Sequence, residues 1–307
     1  MDEVVPVTKR VVAIDLGKTT CRLRLDDRLE LGPGFPGLAS SDGADRAVAS
    51  IAPLLDRLCR ASPVTDSPVL TCIGVGAAGA ESEPSAALQL ARMLRERWHA
   101  PTVVGSDVLT AHVGAFDGDA GTVLIMGTGS VALHVDPDGT RARADGWGPW
   151  LGDDGSGRWI GQQGLSGALR AEDGRGERTT LTHDAARLAG GLDKLPSFVG
   201  TADSASRLAS FAPVVLAHAA DGDALATHII DDAAELLAAT VAATTPALGA
   251  VAVVGGLADH PYFRARIDAA FAGRGLTRRP AIGTALDGAA LLAVRNDLPH
   301  ERYAIRA

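Results

Sequence analysis

Two stretches of the sequence follow one pattern, VVAIDLGKT at residues 11–19 and TVLIMGTGS at residues 122–130. Each begins with a short apolar run, which is typical of a buried strand, and ends in a glycine turn. An alternating segment follows each turn, at residues 21–25 and 131–135, and predicts a second strand. A turn and a short third strand come next, at 29–31 and 140–143. The sequence therefore predicts two β-meanders related by an internal repeat.

The repeat continues downstream as alternating strands and helices. Pro84 and Pro261 each open a helix that follows a predicted strand, at 69–75 and 250–254 respectively. Shorter strands are predicted after these helices, at 101–104 and 279–282. Strand–helix–strand units favour parallel pairing of buried strands. We therefore predict an α/β protein with two domains of similar topology, the second of which carries a helical insertion at about 156–245.

The composition is that of a globular protein and excludes several functional classes. The chain has 307 residues, 46% hydrophobic and 21% charged, which is enough for two ordinary domains. Its net charge of -8 argues against non-specific binding to nucleic acid, because such proteins need a basic face. The N-terminus carries Asp2 and Glu3, and no apolar stretch reaches about 18 residues, so we expect neither a secretory signal nor a membrane span. The scattered Cys21, Cys59 and Cys72 fit reduced thiols of a cytoplasmic protein.

The two glycine turns are candidate phosphate-binding sites. Glycine lets the backbone approach a ligand closely, and backbone N–H groups with a threonine hydroxyl can donate to phosphate oxygens. Two ordinary tight hairpins remain the alternative. Gly17, Lys18 and Thr19 also resemble the end of a P-loop. The position of its first glycine holds Val12 and a strand follows the turn, so a P-loop is excluded.

Two carboxylates follow predicted strands. Asp15 ends the first strand, where a buried carboxylate needs a cation or hydrogen-bond donors; water-mediated binding of Mg²⁺ or capping of the turn would satisfy it. The repeat aligns Gly105-Ser-Asp107 with Gly283-Thr-Ala285, and only the first copy has a carboxylate. Ser106 and Thr284 can cap the following helix in both copies. This asymmetry favours a functional role for Asp107 over helix capping.

The segment DGWGPWLGDDGS at residues 145–156 combines two tryptophans, four glycines and three aspartates. Such a composition does not suit a core segment. Tryptophan can supply an apolar platform for a sugar ring, and carboxylates can accept hydrogen bonds from sugar hydroxyls. In the alternative interpretation, Asp153 or Asp154 acts with Ser156 to cap the helix that follows.

These segments together resemble the N-acetylglucosamine kinase family, which is related to the ATPases that activate benzoyl-CoA-type reductases. The resemblance rests, in chain order, on DLGKT at 15–19, SD at 106–107, GTGS at 127–130, GWGPWLGDDGS at 146–156 with WI at 159–160, and VVGG at 253–256. It covers nearly the whole chain. The second glycine turn and the tryptophan-rich segment are its most specific parts.

The resemblance implies an α/β fold of two ribonuclease H-like, actin-like ATPase domains with an interdomain cleft. The N-terminal domain would comprise residues 1–113 plus about 285–307, and the C-terminal domain residues 114–284. The implied cofactors are ATP and Mg²⁺, with the metal near Asp15 and Asp107 as the catalytic base. The implied nucleotide-binding residues are Gly17, Lys18, Thr19, Gly127, Thr128, Gly129, Ser130, Gly255 and Gly256. The implied sugar-binding residues are Asp107, Thr128, Gly146, Trp147, Asp153 and Asp154.

The sequence departs from the family pattern at three places. Leu16 and Lys18 stand in a first turn that is richer in glycine in the family. Residues 32–37 contain no asparagine, which the family usually offers to the sugar after the third strand. Asp154 stands where glutamate is common. Together with the acidic pair Asp153-Asp154, which suits an ammonium group, these departures favour free glucosamine over N-acetylglucosamine.

We therefore expect an ATP-dependent kinase that phosphorylates the 6-hydroxyl of an amino sugar and acts as a cytoplasmic homodimer. The alternative is a nucleotide-dependent regulatory or activator ATPase of the same fold, without a sugar acceptor. A reductase activator would need cysteines for an iron–sulfur cluster, and the three cysteines here are badly spaced for one.

Overall fold

The computed structural model describes residues 10–60, 70–201, 203–245 and 249–307. Val69, the first residue of a predicted strand, lies outside these ranges, as do Asp2 and Glu3. The described chain forms two β-sheets, each with its own helices and core. The predicted α/β class is therefore confirmed.

The first sheet has six strands, in the order β11-β5-β4-β1-β2-β3. Strand β1 pairs antiparallel with β2 and parallel with β4, and β4 pairs parallel with β5. The strands are β1 (Val11–Leu16), β2 (Thr20–Leu25), β3 (Arg28–Pro33), β4 (Cys72–Ala77), β5 (Thr102–Ser106) and β11 (Ile305–Arg306). The short β11, which adds antiparallel to β5, was not predicted because two residues show no periodicity.

The second sheet repeats this topology. Its order is β10-β9-β6-β7-β8, which is the order β5-β4-β1-β2-β3 displaced by five strands. The strands are β6 (Gly121–Met126), β7 (Ser130–Val135), β8 (Arg141–Asp145), β9 (Ala250–Val254) and β10 (Thr277–Arg279). The internal repeat seen in the sequence is therefore a repeat of topology. The prediction of a strand at 279–282 was wrong, since β10 ends at Arg279 and Ile282 is exposed.

Eleven α-helices connect the described strands. They are α1 (Gly43–Arg60), α2 (Pro84–Trp98), α3 (Asp107–Phe116), α4 (Gly157–Glu172), α5 (Leu181–Ala189), α6 (Leu195–Val199), α7 (Ser204–Ala209), α8 (Ala212–Ala220), α9 (Ala224–Ala242), α10 (Pro261–Ala272) and α11 (Ala285–Val294). Helices α4 to α9 form the predicted insertion. Pro84 and Pro261 are the first residues of α2 and α10, as predicted. The sequence reading missed α1, although its buried Ala47, Ile51 and Leu55 follow helical spacing.

Helices cover both faces of the first sheet. Helices α1 and α2 bury one face, and α3 and α11 pack on the other. Glycines permit this second layer, because a Cβ on Gly74 of β4 would lie 1.9 Å from the carbonyl oxygen of Ala289 in α11. A Cβ on Gly114 would likewise lie 1.8 Å from the carbonyl oxygen of Thr284, so α3 and α11 are in backbone contact. The last helix thus belongs with the first sheet.

The chain divides into two compact units. The first comprises the described residues up to Gly121 with Val135–Thr140 and Ala281–Ala307, and the second comprises Thr122–His134 and the described residues of Arg141–Pro280. The core of the second unit is formed by β6 and β9 with α4, α8, α9 and α10. The boundaries at 113/114 and 284/285 remain a prediction.

Candidate active site

The first unit gathers two carboxylates at one edge of its sheet. Parallel β1, β4 and β5 end at the same edge, and their register aligns Asp15, Gly76 and Gly105 in one row. Asp107 follows directly after β5 as the first residue of α3. Gly76 has to be glycine, because a Cβ there would lie 2.0 Å from Oγ1 of Thr110 in α3. Helix α3 can therefore approach the strand ends that carry Asp15.

Asp107 is partly buried and is not the cap of its helix. Ser106 caps α3, since its Oγ accepts from the backbone N of Leu109 at 3.1 Å. The Asp107 carboxylate accepts from the backbone N of the next residue, Val108, at 3.0 Å. Burial raises the pKa of Asp107 above the usual 3.8, and the charge of Asp15 adds to this while the Lys18 ammonium lowers it. A raised pKa makes this carboxylate a better proton acceptor than an exposed one.

Asp15 forms an ion pair across the first hairpin. Nη1 of Arg22, the residue directly opposite on β2, donates to Oδ2 of Asp15 at 2.9 Å. Burial raises the pKa of Asp15, and Arg22 acts in the opposite direction. Within the described ranges, no group of three His, Cys, Asp or Glu side chains could hold a metal ion. A single carboxylate suits contact with Mg²⁺ through water better than a protein cage for the bare ion.

The first glycine turn lies against the segment of residues 32–37. The backbone N of Gly17 donates to Thr20 at 3.0 Å, and the backbone N of Gly34 donates to Thr19 at 3.1 Å. A Cβ on Gly34 would lie 2.5 Å from the carbonyl oxygen of Gly17, so only glycine permits this approach. Lys18 and Thr19 are exposed at the tip of the turn.

The second glycine turn joins β6 to β7 and is supported by the start of α4. The backbone N of Gly127 donates to Gly129 at 2.9 Å. The first amides of α4 donate back to the turn, from Gly157 to Gly127 at 2.9 Å and from Arg158 to Thr128 at 3.0 Å. A Cβ on Gly127 would meet no described atom within 4 Å. The turn therefore has open space on one side and a helix on the other.

The two glycines after β9 lie beside this turn in the second unit. Gly255 has a φ of 116°, and a Cβ there would lie 2.2 Å from the carbonyl oxygen of Met126, just before the turn. A Cβ on Gly256 would meet no described atom within 4 Å. The structure thus brings Gly255 next to the end of β6.

The tryptophan-rich segment folds over the second turn and is held by Asp145. Oδ1 of Asp145 accepts from the backbone N of Asp153 at 2.7 Å, and Oδ2 accepts from that of Asp154 at 2.8 Å. The hydroxyl of Ser130 donates to the carbonyl of Asp154 at 2.8 Å. A Cβ on Gly129 would lie 2.9 Å from Oδ2 of Asp153, so this carboxylate lies against the turn. Asp154 is exposed.

The same segment presents an apolar surface. Trp147 and Trp150 are 76% and 75% exposed, and Leu151 is exposed as well. Arg143 donates to the carbonyl of Gly146 at 2.9 Å and so anchors the start of the segment. Ser156 caps α4 by accepting from the backbone N of Trp159 at 3.3 Å. Because Ser156 supplies the cap, the alternative in which Asp153 or Asp154 has that role is not needed.

Sequence reasoning missed Arg158, which is only 5% exposed. Its Nη1 donates to Oε1 of Gln162 at 2.8 Å, and its Nη2 donates to the carbonyls of Gly152 and, at 3.5 Å, of Asp153. An arginine in the first turn of a helix is ordinarily a solvated residue, so the sequence carried no signal of this burial. Arg22 was missed as well, although its position opposite Asp15 could have been read from the hairpin register.

The protein family follows from a match over most of the chain. The family model for BadF/BadG/BcrA/BcrD ATPases matches residues 12–293. The chain belongs to the BadF/BadG/BcrA/BcrD ATPase family. The matched span includes all the predicted site residues and every strand of the second sheet, and it ends before β11 of the first sheet.

Two relatives of this chain bear the names of sugar kinases. An N-acetylmuramic acid/N-acetylglucosamine kinase of Clostridium acetobutylicum is 26% identical over 250 residues, which are 78% of this chain and 80% of that protein. An N-acetyl-D-glucosamine kinase of Dictyostelium discoideum is 33% identical over 121 residues, 38% of each chain.

Solved structures show the same fold. A Chromobacterium violaceum protein provisionally named N-acetylglucosamine kinase superposes with a TM-score of 0.77 at 26% identity, covering 93% of this chain and 99% of that one. A ROK family glucokinase from Streptomyces griseus, at 17% identity, has a TM-score of 0.57 over 92% of this chain and 99% of that one. The predicted actin-like ATPase fold is confirmed. None of the helices in the described ranges is long and apolar enough to cross a membrane.

Proposed function

We propose that this ATPase family member transfers the γ-phosphoryl group of ATP to the 6-hydroxyl of an amino sugar. The observation that carries the proposal is Asp107, a partly buried carboxylate with a raised pKa that directly follows strand β5 and lies near Asp15. Capping does not account for it, because Ser106 caps the helix. The names of the N-acetylglucosamine kinase relatives support an amino sugar as the acceptor.

Phosphoryl transfer requires positioning more than covalent chemistry from the protein. The transition state is loose, so its charge is spread over the phosphoryl oxygens and the attacking hydroxyl loses its proton late. Asp107 would orient the 6-hydroxyl and accept its proton. The two glycine turns, with Gly17, Lys18 and Thr19 and with residues 127–130, would hold the phosphates, and Gly255 and Gly256 would line the adenosine pocket. Mg²⁺, when bound with ATP, would neutralise phosphate charge near Asp15.

Residues of the second unit would supply the remaining contacts to the sugar. Trp147 would pack on the apolar face of the ring, with Gly146 and Thr128 beside it. Asp153 and Asp154 would accept hydrogen bonds from its hydroxyl or ammonium groups. Three carboxylates, Asp145, Asp153 and Asp154, belong to one hydrogen-bonded loop, and this negative charge favours the ammonium of glucosamine over the neutral acetamide of N-acetylglucosamine.

The test is ATP turnover with purified protein, Mg²⁺ and one sugar at a time: glucosamine, N-acetylglucosamine, glucose or mannosamine. We expect turnover to require an amino sugar and to yield its 6-phosphate, with kcat/KM highest for glucosamine. A higher kcat/KM for N-acetylglucosamine would overturn the preference and leave the kinase standing. ATP hydrolysis that no sugar stimulates would overturn the kinase and support the regulatory ATPase.

A further inference from the structure

Asp145 and Arg158 hold the same two peptide groups from opposite ends. The carboxylate of Asp145 accepts the N–H groups of Asp153 and Asp154, at 2.7 and 2.8 Å. The guanidinium of Arg158 donates through Nη2 to the carbonyls of Gly152 and Asp153. The carbonyl of residue 152 and the N–H of residue 153 belong to one peptide group, and the next pair belongs to the following one. Two successive peptide groups therefore lie between a negative and a positive side chain.

This arrangement matches the polarity of the peptide groups. Each has its N–H end at the carboxylate and its C=O end at the guanidinium, so both charges stabilise the same orientation of the peptide dipole. Asp153, between the two groups, has a φ of 59°, in the left-handed region that costs a non-glycine residue free energy. The two charged side chains are thus in a position to hold Asp153 in a conformation that it would not adopt alone.

Arg158 is buried in a way that requires an explanation. It is 5% exposed, and its Nε has no hydrogen-bond partner among the described residues. The hydrogen bonds of its guanidinium go to neutral oxygens, those of Gln162 and the two loop carbonyls. Burying a charge with a donor unpaired is unfavourable for folding. A role of Arg158 in positioning the tryptophan-rich segment would account for a buried arginine at this place.

We call Asp145 and Arg158 together the clamp. It also connects the tryptophan-rich segment, the loop that it holds, to the second glycine turn. The backbone N of Arg158 donates to Thr128 at 3.0 Å, while its side chain holds the loop. The conformation of Asp153 directs its carboxylate against Gly129 of that turn. The clamp therefore determines where this carboxylate lies relative to the turn.

We propose that Asp145 and Arg158 are positioning residues that act as one unit and set the carboxylate of Asp153 for binding the sugar. This proposal rests on the proposed function, because Asp153 is assigned there to the sugar. Neither residue contacts the substrate. Loss of either charge frees the same two peptide groups, so the two substitutions should not add.

Two substitutions and their combination test the clamp. Asp145→Asn removes the charge and replaces one acceptor by a donor, and Arg158→Met keeps the apolar stem without any donor. Each should raise the KM for the sugar about tenfold or more and leave the KM for ATP within about twofold. The double variant should raise the sugar KM no further than the more damaging single one. Arg158→Lys, which keeps the charge but not the planar fork, should recover only part of the loss.

Matched controls lie on the same helix and just beyond it. Arg170→Met and Asp173→Asn change exposed residues of the same types at the end of α4, and both should leave the sugar KM unchanged. If Arg158→Met does not fold, the sugar KM of Asp145→Asn, of Arg158→Lys and of their combination can still be compared with that of the wild type.

Hydrogen exchange without sugar separates this proposal from the proposed function. In Asp145→Asn and in the Arg158 variants, the amides of residues 153 and 154 should exchange about tenfold faster or more than in the wild type. If no sugar is phosphorylated by the wild type, the proposed function fails while the exchange result still decides whether the clamp exists. Unchanged exchange, additive effects of the two substitutions on the sugar KM, or a wild-type sugar KM in Arg158→Met would each overturn the clamp.

Discussion

Ser106 and Thr284 cap two helices at equivalent places of the internal repeat. Oγ of Ser106 accepts from the backbone N of Leu109 at 3.1 Å, and Oγ1 of Thr284 accepts from that of Asp287 at 3.3 Å. The next residue is Asp107 in the first copy and Ala285 in the second. Since the helices in both copies are capped without it, the extra carboxylate of the first copy is available for chemistry.

Asp107→Asn should therefore abolish most of the turnover and keep the binding of ATP. The amide can still contact the sugar hydroxyl but cannot take its proton, so kcat should fall by roughly 10² to 10⁴. Calorimetry of ATP binding and steady-state kinetics would measure both effects. Asp287→Asn is the matched control, because it removes a carboxylate from the first turn of α11 and should lower thermal stability without a comparable loss of kcat. A variant that retains more than about a tenth of wild-type kcat would remove Asp107 from the mechanism.

The acid limb of the pH profile should report on Asp107 and Lys18. Burial raises the pKa of Asp107 above 3.8 and the Lys18 ammonium lowers it. Because the base must be unprotonated, kcat/KM should fall as the pH drops through this raised pKa. Removing the ammonium in Lys18→Met should shift the acid limb to higher pH, whereas Lys18→Arg should leave its midpoint nearly in place. A shift to lower pH in Lys18→Met would contradict the arrangement.

Most of the fold could be predicted from the sequence, because local patterns of apolar residues, glycines and prolines indicate its strands, turns and helices. The two runs that end at Asp15 and Met126 are apolar and lead into glycine turns, and a repeated meander leaves few topologies open. Helix α1 was missed because no capping pattern was recognised at Gly43, and β11 because pairing with β5 is a long-range event. Strand β10 was placed too late because its residues Thr277–Arg279 are polar and carry no alternation.

Residues of the candidate site could be predicted only where the sequence around them is uncommon. Asp107 and the tryptophan-rich segment differ visibly from their surroundings, and the first unit does bring Asp107 near Asp15. The residues that hold this segment in place have no uncommon sequence pattern. In the sequence, Arg158 cannot be distinguished from a surface arginine, because its burial depends on the folded tryptophan-rich segment. Asp145 cannot be distinguished from the neighbouring aspartates, one of which, Asp153, it holds by a hydrogen bond to the backbone. Supporting contacts of this kind depend on backbone groups, which are the same in every sequence.

A buried histidine pair should make the fold sensitive to acid. His112 donates from Nε2 to the carbonyl of Gly121 at 2.8 Å, so its Nδ1 accepts from Nε2 of His300 at 2.8 Å. Nδ1 of His300 is then an unprotonated, buried atom without a partner among the described residues. Burial lowers the pKa of His300 from 6.5 to about 4.

The sign of the effect follows from these two values. Between pH 6.5 and about 4 the unfolded chain binds a proton at His300 that the folded protein does not, so stability falls as the pH is lowered through this window. From pH 7 to pH 5 the loss should be about 2 kcal/mol. Urea unfolding at both pH values should show a smaller loss in His300→Gln, while His228→Gln, at an exposed position, should behave like the wild type. An equal loss in His300→Gln and wild type would exclude this histidine as the cause.

Asp153→Ala should weaken binding of the sugar far more than binding of ATP. A sugar hydroxyl or ammonium left without its acceptor costs about 1–3 kcal/mol, which corresponds to roughly a fivefold to 150-fold rise in the sugar KM. Asp154→Ala should have a smaller effect, because Asp154 is exposed and its side chain is not directed against the turn. If ATP binding collapses and the sugar KM stays, the division of the site between nucleotide and sugar is wrong.

Sugar binding should protect one part of the tryptophan-rich segment from hydrogen exchange and leave the other part unchanged. The amides of residues 153 and 154 are already bonded to Asp145, so they should be protected with or without sugar. Residues 146–151 contain two exposed tryptophans and two glycines with positive φ, Gly146 and Gly148, which leaves this stretch easily opened. A sugar ring packed on Trp147 would bury this stretch and slow its exchange.

Exchange measured by mass spectrometry at saturating glucosamine and N-acetylglucosamine, with mannitol as the non-substrate polyol, should show slowing confined to residues 146–151. The two bonded amides thus serve as an internal reference. Exchange in residues 146–151 that does not respond to any sugar that supports turnover would place the sugar away from Trp147.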